Sequence, residues 1–251
     1  MSTPTRDEVL ATPELLENIL AQLPMRALLL RAPLVCKMWL ATTRAPALQR
    51  ALFFLPDPDP PSSPSSSDPD PDSDSTPDCA PAPPPVLNPL LVEMFPPFFL
   101  PLPPRDCYTW PTAHDILAMP AATSPAAFAR RGASWRRMLV VQPAVRVLRV
   151  VQRAQARGGD FERCATVELQ GEGLRMGALY DLAAGGVERA GAAFRVTWHG
   201  EVGREVDVTL ETVDTMQFVD GRAGPFTEEF LGHGEGPRLE FRGWMCVLRE
   251  F

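Results

Sequence analysis

The sequence predicts an α+β protein with an all-helical N-terminal module, a disordered linker and a mixed C-terminal body. Three observations lead to this prediction. Residues 12–55 contain short helical stripes of apolar residues separated by prolines, residues 57–85 consist mainly of proline, serine and aspartate, and several segments beyond residue 165 alternate as strands do. We therefore divide the chain into residues 12–55, 57–85 and 86–251.

The first predicted helix has its N-cap at Thr12 and its first helical residue at Pro13. Thr12 suits the N-cap, and Pro13 suits the first turn, where an amide hydrogen has no helical partner. Apolar side chains then recur at helical spacing and form one face: Leu16, Ile19, Leu20 and Leu23. Pro24 ends this helix and can begin the next one.

Three further short helices are predicted in residues 24–55. The second contains an apolar run, residues 28–30, that is too wide for one stripe. Pro33 begins the third helix, which carries Val35, Cys36 and Trp39, and Pro46 begins the fourth. A unit of this size is marginally stable alone, so we expect it to bind a partner.

In order and spacing these residues resemble an F-box. The resemblance is carried by Pro13-Glu14-Leu15-Leu16, Ile19-Leu20, Leu23-Pro24, Val35-Cys36-Lys37, Trp39, and Leu48 with Ala51-Leu52-Phe53-Phe54. It implies binding to a Skp-type adaptor and, through the adaptor, to a cullin of a ubiquitin ligase. The adaptor-facing and supporting surface would comprise Pro13, Leu16, Ile19, Leu20, Leu23, Leu30, Val35, Cys36 and Trp39. For any single leucine, a place in the core of an ordinary helical bundle is the alternative.

The linker carries the net charge of the chain. The formal charge is −7, from 31 acidic and 24 basic residues, and residues 57–85 contain seven aspartates and no basic residue. The remainder of the chain is therefore neutral overall, without the excess of basic residues that would indicate nucleic-acid binding. The tract is either a semi-extended spacer or a regulatory segment phosphorylated at Ser63-Pro64 and Thr76-Pro77.

The body begins with an aromatic segment. Prolines in residues 86–102 predict an extended conformation, and the phenylalanines require burial against a neighbouring domain. A helix is predicted from Ser124 to Leu139 with an interruption at Gly132 and with Trp135 in the core. A second is predicted over residues 174–184, ended by Gly185-Gly186.

Strands complete the predicted body. Residues 194–198, 206–210 and 239–244 favour strands, and we expect antiparallel pairing. No internal period of 30 to 45 residues is present, which excludes WD40, kelch and leucine-rich arrays. The segments Asn88-Pro89-Leu90-Leu91, Phe95-Pro96-Pro97-Phe98, residues 133–139, Arg175-Met176-Gly177 and residues 179–182 are similar to the bodies of F-box proteins of filamentous fungi. This resemblance implies an architecture and identifies no target.

The sequence predicts no catalytic, metal or cofactor site. The five cysteines are scattered without a CxxC spacing, which predicts reduced thiols in the cytoplasm or nucleus. The three histidines have no partner at i+4, and no phosphate-binding or nucleophile motif is present. Neither a secretory signal nor an apolar run of membrane-spanning length occurs, so we expect no membrane association.

Two functions remain open at this point. The first is a substrate receptor that binds the adaptor through residues 12–55 and a protein target through the body. The second is a scaffold that binds the adaptor without a cullin, and an enzyme in the body is a weaker third alternative. Lys37 is the only lysine in the sequence, and we expect an adaptor on this helix to shield it.

Overall fold

The structure of the chain is a computed structural model that describes residues 12–58, 85–100, 111–156, 159–169, 173–190, 193–199, 208–215 and 245–247. It confirms the α+β class with a helical N-terminal region. The predicted linker, its two phosphorylation motifs and the strand at residues 239–244 lie outside the described residues, apart from the linker's first two positions and its last.

The helical module, residues 12–55, contains five short helices. They are α1 (Pro13–Ala21), α2 (Met25–Leu30), α3 (Ala32–Val35), α4 (Lys37–Thr42) and α5 (Pro46–Ala51). The predicted helix from Pro33 through Trp39 is wrong, because Cys36 has extended backbone angles, φ −163° and ψ 172°. Cys36 thereby separates a single turn, α3, from α4. A small core is shared by these helices: Leu16, Leu20, Leu28, Ala32, Leu48 and Leu52.

The segment after residue 85 is more helical than predicted. Strand β1 (Val86–Leu87) is followed by α6 (Pro89–Met94) and a 3₁₀ turn (Pro96–Phe98). The expectation of an extended segment is wrong because Pro89 occupies the first helical turn, where proline is favoured. Asn88 caps this helix, since its side-chain oxygen accepts hydrogen bonds from the amides of Leu90 (3.1 Å) and Leu91 (3.3 Å).

Short helices lead from this segment to the sheet. They are α7 (Ala113–Leu117), a 3₁₀ turn (Pro120–Thr123), α8 (Pro125–Phe128) and α9 (Ser134–Arg137). The predicted interruption near Gly132 is confirmed, but Met138 and Leu139 lie beyond the helix. At the start of α7 the amide of Thr112 donates to Asp115 at 2.6 Å, which lowers the pKa of that carboxyl.

Aromatic rings fill the space between these helices and the sheet. Phe95 and Phe98 are fully buried, as the sequence predicts for the phenylalanines of this segment. Trp135 is half-buried and stacks on Phe128 with ring centroids 4.9 Å apart, in agreement with its predicted place in the core. Such offset and edge contacts stabilise a core beyond the burial of their area.

Among the described residues, five strands form the main sheet in the order β5-β6-β3-β4-β7. They are β3 (Val147–Ala156), β4 (Gly159–Glu168), β5 (Ala193–Trp198), β6 (Val208–Thr215) and β7 (Met245–Val247), while β2 (Val141–Gln142) pairs with β1 in a separate two-stranded sheet. The predicted strand at residues 194–198 is confirmed. The antiparallel prediction holds for every pair except β3 with β6, which is parallel.

Helix α10 (Met176–Ala190) covers the apolar face of this sheet. The prediction that Gly185 and Gly186 end a helix is wrong, because α10 continues through both. A Cβ atom at position 186 would lie 2.9 Å from Thr212 Cγ2, so this glycine allows the helix to approach β6 closely. Buried side chains of the sheet beneath α10 include Leu148, Val150, Phe194, Val208 and Leu210.

The opposite face of the sheet carries a ladder of charges. Arg153 contacts Glu162 of β4 at 3.0 Å and Glu211 of β6 at 3.2 Å. Glu211 also accepts a hydrogen bond from Arg195 Nε of β5 at 2.8 Å. The ladder thus crosses four adjacent strands and compensates the buried carboxylate of Glu211.

Candidate functional site

The nine residues predicted for the adaptor surface fall into three groups in the structure. Leu16 and Leu20 are fully buried in the core of the helical module. Leu23 and Trp39 are half-buried and pack against that core. These four residues therefore support the module and present little area to a partner. The other five are exposed: Pro13, Ile19, Leu30, Val35 and Cys36.

Four exposed apolar side chains follow one another between α2 and α4. The exposed fractions are 55% for Leu30, 82% for Leu34, 58% for Val35 and 41% for Met38. We call these four residues the apolar surface. A single-turn helix such as α3 has too few residues to bury more than one side, and its buried side is Ala32, so Leu34 and Val35 face outward.

The helix α1 adds a second exposed pair, Leu15 and Ile19. They are four residues apart and therefore lie on one face of the helix. This face is exposed, whereas Leu16 and Leu20 are buried. Sequence reasoning identified Ile19 but not Leu15, Leu34 or Met38 as site residues. One sequence feature does indicate such exposed residues. Residues 28–30 and 32–36 contain no polar residue, so one buried helix face cannot hold all of their apolar side chains.

The segment that carries the apolar surface is also basic. Residues 25–44 contain four basic side chains and no acidic one, and all four are exposed: Arg26, Arg31, Lys37 and Arg44. Arg26 contacts Glu93 of the body at 3.6 Å, where both side chains are largely exposed and the pair is weak. A partner with apolar pockets and an acidic rim would complement this arrangement.

The body holds the helical module through backbone contacts at the end of α5. Phe53 has a left-handed backbone, φ 61°, and its carbonyl accepts a hydrogen bond from the amide of Leu139 at 2.7 Å. The side chain of Gln142 donates to the carbonyls of Arg50 (3.0 Å) and Leu55 (3.1 Å). These hydrogen bonds join the helical module, which carries the apolar surface, directly to the body.

A cleft of about 590 Å³ lies beside this joint. Its walls come from residues 56–58 at the end of the module, residues 144–147 of the body, and Glu168, Leu169 and Gly173. Among the described residues that line the cleft, the charged ones are Asp57, Arg146 and Glu168, and none is a histidine or cysteine that could act as base or nucleophile.

The described part of the chain contains no group of three or more histidine, cysteine, aspartate or glutamate residues arranged to hold a metal ion. Among the described helices, none has the length and apolar character needed to cross a membrane. Comparisons with protein-family models, with curated proteins and with solved structures find no match to this chain.

Proposed function

We propose that this chain is the substrate-receptor subunit of a Skp–cullin–F-box type ubiquitin ligase. In this proposal the apolar surface of the helical module binds the Skp-type adaptor, and the body binds a protein target. The observation that carries the proposal is the outward position of Leu30, Leu34 and Val35 in a segment whose residue order resembles an F-box.

Burial of the apolar surface supplies part of the binding energy. Fully burying a leucine, valine or methionine contributes about 1.5–3 kcal/mol, so the four partly exposed side chains together contribute roughly 4–7 kcal/mol. Association itself costs several kcal/mol. The complex therefore needs further contacts, which Leu15 and Ile19 on α1 and the basic side chains of the same segment can provide.

The direct joint between module and body supports the receptor role. A receptor acts by positioning its target near the transferring enzyme, and no residue of the receptor takes part in bond formation. Because Leu139 and Gln142 of the body bind the backbone of the module directly, the orientation of the body follows that of the adaptor. A flexible connection would not transmit this orientation.

The test is adaptor capture by a variant with Leu34→Asp and Val35→Asp. We expect loss of binding, because two carboxylates would be desolvated in an apolar contact, each at a cost of several kcal/mol. Both side chains are exposed in the unbound chain, so the fold and the melting temperature should change little. Adaptor binding at wild-type affinity by a folded double variant would refute the proposal.

The matched control is Leu117→Asp, which places the same charge on a leucine of the body that is 73% exposed. This variant should bind the adaptor as the wild type does. Capture of the wild-type chain distinguishes the two functions. A ligase subunit should co-purify with both the adaptor and a cullin, whereas an F-box scaffold should co-purify with the adaptor alone.

A further inference from the structure

Lys37 is the only lysine among 251 residues, and in the sequence it lies between Val35 and Met38 of the apolar surface. It is the first residue of α4, directly after the extended Cys36, and its side chain is exposed. Val35 and Met38, which flank this position, are exposed apolar residues. The single ε-amine of the chain is thus carried by an exposed residue between two members of the surface that we assign to the adaptor.

We propose that Lys37 is a ubiquitin acceptor of the unassembled chain and that adaptor docking occludes it. This inference rests on the proposed function. The amine of Lys37 would attack the thioester carbonyl of ubiquitin carried by a conjugating enzyme. An isopeptide bond forms, the thiolate of the conjugating enzyme leaves, and the amine loses a proton to water.

Two consequences follow from the position of Lys37. A partner that covers Leu34, Val35 and Met38 also covers the backbone that carries Lys37, so the conjugating enzyme cannot reach the amine in the complex. Conversely, a chain with ubiquitin on Lys37 cannot dock, because the attached protein occupies the same surface. Attachment of ubiquitin to Lys37 therefore marks the receptor that has no adaptor, whereas the assembled receptor stays unmodified.

The accessibility of Lys37 can be measured with an amine-reactive ester and mass spectrometry. We expect Lys37 to be acylated in the full-length chain alone and at least tenfold more slowly when the adaptor is in saturating excess. The reference is a variant with Lys37→Arg and Arg131→Lys, which moves the only lysine to an exposed position of the body. Its acylation should be insensitive to the adaptor.

The same pair of proteins tests the transfer reaction in the reconstituted ligase. We expect little ubiquitin on Lys37 of the wild type and clear modification of the lysine introduced at position 131. Equal modification of the two lysines would overturn the inference. If the adaptor binds but Lys37 reacts as fast as in the unbound chain, the inference fails alone, whereas failure of the adaptor to bind refutes the proposed function.

The unassembled state is tested in cells with the Leu34→Asp and Val35→Asp variant, which cannot dock. We expect ubiquitin on Lys37 of this variant, and we expect Lys37→Arg in the same background to lengthen its half-life at least twofold. Absence of ubiquitin from Lys37 in the undocked variant would contradict the acceptor role.

Discussion

Leucines of the helical module are chemically identical and yet have opposite roles. Leu20 is fully buried among Leu16, Leu28 and Leu48, whereas Leu34 has 82% of its area exposed. Both belong to apolar segments, and their neighbours in the sequence are also apolar. The burial of each leucine is therefore set by tertiary packing, and Leu20 contributes to stability while Leu34 is available for binding.

This division predicts different stability effects for the same substitution. Leu20→Ala removes fully buried methyl groups and leaves a cavity, so it should lower the free energy of unfolding by about 2–5 kcal/mol. Leu34→Ala removes exposed methyl groups and should change it by less than about 0.5 kcal/mol. Urea unfolding of the two variants measures both values. Equal destabilisation would mean that the module packs differently from the structure.

Phe53 is a second residue whose conformation cannot be predicted from the sequence. A left-handed conformation after a helix is usual for glycine and costs a larger residue about 1–2 kcal/mol. Phe53 adopts it here because its side chain is buried and its carbonyl accepts the amide hydrogen of Leu139. The turn directs the chain toward the body, and no local pattern predicts it.

At the scale of elements, the two adjacent glycines of α10 have different surroundings. A Cβ atom built on Gly185 has no neighbour within 4 Å, whereas one built on Gly186 lies 2.9 Å from Thr212 Cγ2. Thr212 is itself buried in β6 and is β-branched, so its methyl group has little room to move. Gly186 is thus required for the packing of the helix on the sheet, and Gly185 is not.

Alanine substitutions at these two positions should therefore have opposite effects. Gly185→Ala should raise the free energy of unfolding by up to about 1 kcal/mol, the difference in helix propensity between the two residues. Gly186→Ala gains the same propensity but overpacks the contact with Thr212, at a cost of about 1–3 kcal/mol. Thermal unfolding of both variants and the wild type gives the order of their stabilities. A more stable Gly186→Ala would show that α10 does not approach β6 so closely.

Prolines allowed correct prediction of helix starts where they occupy the first turn, as at Pro13 and Pro46. Pro89 also occupies a first turn and Asn88 supplies the cap, but the prolines that follow favour an extended segment, so α6 is not predicted. The hairpin of β3 and β4 was also missed. Its exposed face carries Arg153 and Glu162, whose charges are compensated only when the strands pair, and pairing is not visible in a local pattern.

At the scale of the molecule, the sequence indicated two folded parts but not their contact. The contact is made by atoms that are far apart in the chain, the carbonyls of Arg50, Phe53 and Leu55 with Leu139 and Gln142. The side chain of Gln142 donates two of these three hydrogen bonds. In all three the acceptor is a backbone carbonyl, which every residue has, so the sequence of the module does not indicate the contact. The candidate site was therefore predicted as a set of residues, while its orientation relative to the body was not.

The contact predicts that the covalent linker is dispensable for holding the two parts together. We propose to insert a specific protease site between Ser66 and Ser67 and to cleave the purified chain. The two fragments should co-elute in gel filtration at micromolar concentration and separate in denaturant, because the joint combines three hydrogen bonds with the packing of Leu29 and Phe54 on the core of the body.

Gln142→Ala should weaken this association, since it leaves the carbonyls of Arg50 and Leu55 without the donor at a cost of about 1–3 kcal/mol, or roughly a five- to 150-fold rise in the dissociation constant. The control Gln22→Ala changes an exposed glutamine of the module and should leave the dissociation constant of the fragments unchanged. Fragments that separate on cleavage without denaturant would contradict the joint. In that case the orientation of the body would no longer follow from that of the adaptor, and positioning of a target would have to depend on the linker itself.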